Sequence, residues 1–173
     1  MIRSKRGLGS TGTARKGLFG TLARRDLQFL PDGLRGLNIA HNGSPFISAY
    51  HWNDNGNFGA KLGNPASLPA NNATGCAFSP DGQFLSVSHA TSPFLDVYQF
   101  NVELGFVTRV SNPASLPAGA TLCTNWSPYG DFVGFGGGPS PFVTVYPWTG
   151  SAFGTKLTDP GTTPGSNVNN MAW

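Results

Sequence analysis

The chain repeats itself at an interval of about 48 residues. The phrase NPASLP occurs at Asn64–Pro69 and again at Asn112–Pro117, and a degenerate copy, DPGTTP, occupies Asp159–Pro164. The same shift aligns three Ser-Pro-Phe triplets, and it also aligns the tyrosines Tyr50, Tyr98 and Tyr146. Periods of this length indicate a row of similar supersecondary units, each of which buries its core against its neighbours. The chain is therefore predicted to fold as an array of similar units.

Each unit has the pattern of short strands. The segments Gln83–His89 and Phe94–Phe100 are rich in β-branched and aromatic residues and are bounded by turn residues. The tetrapeptide SPDG places Pro, Asp and Gly where a type I turn favours them. With 24 glycines, 14 prolines and only 11% charged residues, the chain offers no long helical pattern. The sequence predicts an all-β protein with four short antiparallel strands in each unit.

The phrase FSPDGQFLSVSHATSPFLDVYQF resembles the repeats of WD-repeat-like and YVTN-type β-propellers. The usual terminal Trp-Asp dipeptide is replaced by Tyr98-Gln99-Phe100 and by Tyr146-Pro147-Trp148, which favours the looser propeller group. This resemblance implies propeller blades at 27–63, 73–111 and 121–158, and the inner strand of a fourth blade at 167–173. Propellers close with about four to eight blades. We therefore interpret the sequence as part of a longer polypeptide; the alternatives are a ring completed by another subunit and an open arc in an assembly.

Residues 1–26 form a predicted extended basic arm that holds seven of the 11 lysines and arginines against one acid, Asp26, so the rest of the chain has a net negative charge. We expect the arm to bind an acidic neighbouring protein subunit, with nucleic acid as a weaker alternative, because Phe19 is its only aromatic residue for base stacking. The partner-binding candidates are its basic residues and that phenylalanine: Arg3, Lys5, Arg6, Arg15, Lys16, Phe19, Arg24 and Arg25.

Residues that could carry chemistry are sparse along the chain. Glu103 is the only glutamate, and no nucleophile elbow, phosphate-binding loop or metal-ligand spacing occurs. His41 and His89 are interpreted as polar residues at strand ends, and Lys61, Arg109 and Lys156 as charges that protect outer strand edges. The two cysteines, Cys76 and Cys123, are expected to be free thiols. These observations predict no enzymatic activity, no cofactor and no metal.

The basic arm, the charge-poor β body and the repeated units together resemble the layout of bacteriophage virion proteins. The resulting hypothesis is a non-enzymatic structural or attachment protein of a tail or capsid surface, located in the virion. The alternative is a cellular propeller that binds protein or carbohydrate, or a lactonase-like enzyme whose active residues lie in other blades. No apolar run suits a membrane span, and the amino-terminal segment lacks the apolar core of a secretory signal, so a non-virion protein is expected to be cytoplasmic.

Overall fold

The computed structural model describes residues 35–53 and 55–173. The predicted basic arm, with all of its candidate partner-binding residues, lies outside this part of the chain. The described residues contain no helix, and therefore none that is long and apolar enough to cross a membrane. They form ten strands: β1 (Arg35–Ala40), β2 (Ile47–Trp52), β3 (Phe58–Lys61), β4 (Ala73–Phe78), β5 (Phe84–His89), β6 (Leu95–Asn101), β7 (Gly105–Arg109), β8 (Thr121–Trp126), β9 (Phe132–Gly137) and β10 (Val143–Pro147).

The strands build three separate antiparallel sheets, which confirms the predicted all-β class. The middle sheet has four strands in the order β4-β5-β6-β7, as predicted for one unit. Its strand β5 is buried at every position, because it has strands on both sides and neighbouring sheets over both faces. The two buried serines of this strand find partners in β4, since Ser86 donates to the Ala77 carbonyl at 3.1 Å and Ser88 donates to the Gly75 carbonyl at 3.2 Å.

The other two sheets have three strands each, in the orders β1-β2-β3 and β8-β9-β10. The predicted first strand of the first unit lies outside the described residues, so that sheet shows the later strands of its unit; the third unit has three regular strands where four were predicted. After β10 the chain forms one isolated bridge, Trp148 to Phe153, and the Leu157 N–H then donates to the Val145 carbonyl at 2.9 Å. Pro147 has no N–H to offer to a ladder, so this outer segment follows β10 without becoming a regular strand.

The turns repeat with the units. In each sheet a Ser-Pro-Phe triplet joins the second strand of the predicted unit to the third, and the Ser-Pro bond is cis in all three. Phe46, Phe94 and Phe142 have φ values near 70°, and the amide of each closes the turn onto the carbonyl three residues earlier. The predicted SPDG turn is also present, since Gly82 donates to Ser79 at 2.8 Å.

The hydrophobic core lies between neighbouring sheets. One cluster packs Ile47 of the first sheet against Leu85 and Tyr98 of the second. Another joins the second sheet to the third, where Phe84 and Trp126 each contact the Trp148 ring edge-to-face at about 5 Å. Each sheet therefore buries its faces against the adjacent units, as expected for a repeat array.

The NPASLP segments connect one sheet to the next, from β3 to β4 and from β7 to β8. The hydroxyl of Tyr98 donates to the Ser67 carbonyl at 2.9 Å, and Tyr146 donates to Ser115 at 2.7 Å. Both prolines of each NPASLP segment are buried, whereas both prolines of Asp159–Pro164 are exposed. Each link is thus held by a tyrosine from the third strand of the unit that follows it.

Candidate functional site

A cavity of about 400 Å³ lies between β4 and β8, the first strands of the second and third predicted units, β1, which is the second strand of the first unit, and the segment near residue 170. Strand β1 contributes Asn38, β8 contributes Thr124 and Asn125, and the carboxy-terminal segment contributes Asn170. The apolar part of the wall comes mainly from Cys76, Phe78, Leu85 and Met171. The cavity, which we call the central cavity, therefore combines an apolar wall with a few amide and hydroxyl groups, as is typical of small-molecule sites.

The polar side chains of the central cavity differ in how far they are already engaged. The Thr124 hydroxyl lies 2.9 Å from Ser86 Oγ and 3.0 Å from the Gly134 carbonyl, so it joins two sheets. The Asn125 amide donates to the Met171 carbonyl at 3.1 Å and accepts from the backbone of Trp126, which leaves it one N–H and one lone pair. Thr124 is a structural residue here, and Asn125 retains capacity for a ligand.

Asn38 is the least satisfied of these residues. Both polar atoms of its amide are buried and have no hydrogen-bond partner among the described residues. At the matching repeat position, Ser86 donates to the Ala77 carbonyl at 3.1 Å. A buried amide without partners is costly, so a ligand hydroxyl that reached Asn38 would gain more than one that met a satisfied group.

The described wall of the central cavity is electrically neutral. It contains no carboxylate, histidine or basic side chain. Burial raises the pKa of Cys76 to about 11, so this thiol is neutral near pH 7 and a weak nucleophile. These residues are suited to hydrogen bonding with uncharged hydroxyl groups, and they do not offer general acid–base chemistry.

A buried charged network lies elsewhere in the middle sheet. Asp96 of β6 is fully buried, and its carboxylate contacts Arg109 at 2.6 Å and His89 Nε2 at 3.2 Å. Arg109 in turn donates to Asn112, at the start of the second link, at 3.1 Å. Burial, with the nearby Asp96 carboxylate as a further cause, raises the pKa of Tyr98, which holds the first link. The network fastens both links to one sheet, and we assign it a structural role.

This network was not predicted from the sequence, because His89, Asp96 and Arg109 lie on different strands and form no contiguous motif. His89 is not simply a polar strand end, and Arg109 is engaged with a carboxylate instead of only guarding an edge. Lys156 pairs with Asp159 at 2.7 Å in a partly exposed position, and His41 lies 3.1 Å from Ser48 Oγ. The signal that could have revealed the network is the shared placement of a histidine, an aspartate and an arginine at facing ends of three successive strands.

Comparisons with known proteins identify a fold. No family model matches the chain, and no curated protein matches it. A protein structure from Lactobacillus plantarum is similar with a TM-score of 0.60 and 24% identity, over 82% of this chain and 42% of that one. A structure from Bacteroides fragilis, described as a "putative 6-phosphogluconolactonase", is similar with a TM-score of 0.53 and 13% identity, over 78% of this chain and 36% of that one. The chain thus spans less than half the length of either structure, and at these identities the similarity shows the fold alone.

These similarities contradict the predicted phage function. The prediction of a virion structural protein is contradicted, as is the prediction that the protein is not an enzyme, because the similar structure from Bacteroides fragilis is described as a putative 6-phosphogluconolactonase, which favours the lactonase-like alternative. The phage hypothesis was wrong because it rested on the amino-acid composition, which has another physical explanation. The glycine, proline and scarcity of charge that suggested a particle surface are accounted for by closely packed sheets joined by tight turns.

Proposed function

We propose that this chain forms blades of a β-propeller of the lactonase-like kind, and that its central cavity binds a neutral, hydroxyl-rich small molecule such as a sugar lactone. The observation that carries the proposal is the convergence of β4, β8 and the segment near residue 170, each at the innermost position of its unit, on one cavity whose polar groups are amides and a hydroxyl. Asn38 reaches the same cavity from β1, the second strand of the first predicted unit. The units that repeat at an interval of about 48 residues and the fold likeness support the propeller arrangement. In such an arrangement the innermost strands surround a central channel.

Recognition in the central cavity would depend on a few amides against an apolar wall. Asn38 offers a buried donor and a buried acceptor, and Asn125 offers one of each. Ring hydroxyls both donate and accept, so they can satisfy amides in pairs, while Phe78 and Met171 would cover the less polar faces of the ligand. A ligand hydroxyl that reaches Asn38 would give hydrogen-bond partners to the Nδ2 and Oδ1 atoms of its amide, which have none among the described residues.

We assign the described residues the binding role only. Opening a lactone requires attack by water on the carbonyl carbon, with a base to take a proton and a donor to stabilise the developing oxyanion. The described wall supplies amide donors and no base. The hydrolytic step would therefore depend on residues beyond those that line the described part of the cavity.

The test is calorimetric titration with a stable sugar lactone such as gulonolactone, alongside a hydrolysis assay with gluconolactone. We expect saturable binding, and we expect Asn38→Ala to weaken it about tenfold because a hydrogen-bonded pair of groups is lost. Asn112→Ala, on an exposed link, is the matched control and should leave the affinity unchanged.

Two results would contradict the proposal. The first is an absence of lactone binding by the wild-type chain. The second is much tighter binding of the 6-phosphorylated lactone than of the uncharged one, because the described wall has no basic group to meet a phosphate.

A further inference from the structure

Two Asn-Gly dipeptides occur in the sequence, Asn42-Gly43 and Asn55-Gly56. Both lie in exposed turns, the first between β1 and β2 and the second between β2 and β3. A glycine after an asparagine makes the pair reactive, because glycine has no Cβ to shield its backbone nitrogen from the asparagine side chain. The two turns therefore carry the same chemical groups, and the difference between them is the hydrogen bonding of the glycine.

The reaction open to this pair is the deamidation of asparagine, one of the thermally labile residues. The backbone nitrogen of the glycine gives its proton to a buffer base and attacks Cγ of the asparagine. A C–N bond forms there, and the side-chain nitrogen leaves as ammonia. Water then opens the resulting five-membered succinimide ring at either carbonyl. The product is aspartate, or isoaspartate, in which the main chain runs through the side-chain carbons and is longer by a methylene.

The hairpin turn at Asn55-Gly56 protects its glycine nitrogen. Gly56 has a φ of 77°, and its N–H donates to the Asn53 carbonyl at 2.9 Å. The Asn53 N–H donates to the Asn57 carbonyl at 3.0 Å and closes the same turn. The Gly56 nitrogen must lose its hydrogen bond before it can attack, and the net strength of such a bond corresponds to about a fivefold lower rate. The folded hairpin is therefore expected to slow deamidation at Asn55.

The turn at Asn42-Gly43 leaves its glycine nitrogen unprotected. The Phe46 N–H donates to the Gly43 carbonyl at 2.7 Å, and the His41 N–H donates to the Phe46 carbonyl at 2.8 Å. Neither bond uses the Gly43 N–H, which has no hydrogen-bond partner among residues 35–53 and 55–173. A side chain at Gly43 would meet nothing within 4 Å, so the surrounding space is open. Attack on Asn42 therefore breaks no backbone hydrogen bond of the turn.

We propose that Asn42 is a site of spontaneous deamidation, and that its conversion to isoaspartate loosens the pairing of β1 with β2. The pairing runs up to Ala40 and Ile47, and the His41 hydrogen bond to Phe46 continues it into the turn. A main chain that is longer by a methylene after His41 displaces these donors and acceptors from each other. This inference goes beyond the proposed function and does not depend on it.

The test follows both asparagines by peptide mass spectrometry while the full chain is kept folded in mildly alkaline buffer. The same measurement on the chain unfolded in urea gives the intrinsic rates of the two Asn-Gly pairs. We expect the ratio of the Asn42 rate to the Asn55 rate to be about fivefold higher in the folded chain, the factor given by one backbone hydrogen bond. Gly43→Ala places a methyl group beside the nitrogen in open space, so it should slow the reaction at Asn42 and leave the rate at Asn55 unchanged.

A second measurement separates the change in the main chain from the change in charge. Anion exchange isolates the aged protein, because each deamidation adds a negative charge, and its isoaspartate form is compared with Asn42→Asp by thermal unfolding. Asn42→Asp carries the same charge on an unaltered main chain and should unfold at the wild-type temperature. The isoaspartate form should unfold about 2–4 °C lower, the shift expected in a chain of this size for the loss of one hydrogen bond.

The outcomes are independent of lactone binding. A folded chain that loses Asn55 as fast as Asn42, relative to the unfolded rates, would overturn the assignment of the site. Survival of Asn42 in the folded chain, under conditions where the unfolded chain loses it, would also overturn that assignment. Equal unfolding temperatures of the isoaspartate form and Asn42→Asp would refute the effect on the pairing of β1 with β2.

Discussion

Replacing Asp96 with serine should be one of the most damaging single polar substitutions in the described chain. The side chain is fully buried and contacts both Arg109 and His89, so its removal leaves a guanidinium without its counter-ion. Breaking a buried ion pair in this way typically costs about 3–5 kcal/mol. Because the Arg109 side chain is 26% exposed and can regain some water, we expect a loss of stability at the lower end of this range, about 3 kcal/mol.

The first sheet provides the design of a compensating variant. Its residues at the matching repeat positions are His41, Ser48 and Lys61, and the histidine there lies 3.1 Å from the serine hydroxyl without a carboxylate. Adding Arg109→Lys to Asp96→Ser recreates this set in the middle sheet. A lysine can extend its ammonium into water more easily than a buried guanidinium can, so the second change should recover about half of the lost stability.

The assay is thermal and urea unfolding of the wild type, the single variant and the double variant. For a chain of this size, a loss of about 3 kcal/mol corresponds to a fall in Tm of about 6–12 °C. Asp159→Ser is the matched control, because Asp159 also forms an ion pair but is partly exposed, and its loss should cost less than about 1 kcal/mol. If Asp96→Ser lowers stability no more than this control, the structural role given to the buried network is refuted.

Three further predictions concern other parts of the fold. Tyr98→Phe should cost about 1 kcal/mol in urea unfolding because it removes the bond to the first link, whereas Tyr129→Phe at an exposed turn should have no measurable effect. Gly137→Ala should destabilise by about 2 kcal/mol or more, because its Cβ would overlap a facing backbone carbonyl that cannot move aside; Gly43→Ala, with open space around it, should be nearly neutral. Between pH 9 and 10 the free energy of unfolding should fall as pH rises, because burial raises the pKa of Cys76 to about 11 and only the unfolded chain then releases that proton; Cys76→Ala should reduce the slope. An equal slope in the two proteins would contradict this account of the thiol.

The repeat made the sheets and turns predictable from the sequence. The aligned Ser-Pro-Phe triplets, and the Ser-Pro-Asp-Gly phrase with its relative Ser-Pro-Tyr-Gly, fix short strands. Each phrase places a proline in a turn, and the second kind also places a glycine there. The polar network was not predictable in the same way. Asp96 matches Ser48 and Thr144 in the other units, so the repeat does not mark it as part of a conserved pattern. Its role is visible only in the folded chain, where it contacts His89 and Arg109.

The central cavity escaped the sequence analysis for a related reason. Acids, histidines and metal ligands are the residue types that mark a site in a sequence, whereas the wall of the central cavity presents Asn38, Asn125 and Asn170. An asparagine on a β-strand carries no distinctive motif, and its meaning depends on whether its amide finds a partner. Only the structure shows that the amide of Asn38 is buried without a partner in the described part of the chain.

The pattern of similarity between repeats separates positions that hold the fold from positions that face the cavity. The tyrosines that donate to the links, Tyr98 and Tyr146, occupy the same repeat position. The residues whose backbone carbonyls accept these hydrogen bonds are both serines, Ser67 and Ser115. By contrast, the cavity-lining positions of Thr124 and Asn125 in the third unit hold Cys76 and Ala77 in the second. Identical units would give a cavity wall that repeats around the channel, and such a wall cannot distinguish one side of an asymmetric molecule from another. A sugar derivative has hydroxyls of differing orientation, so a site that binds it in one pose needs units that differ where they face the ligand and agree where they hold each other.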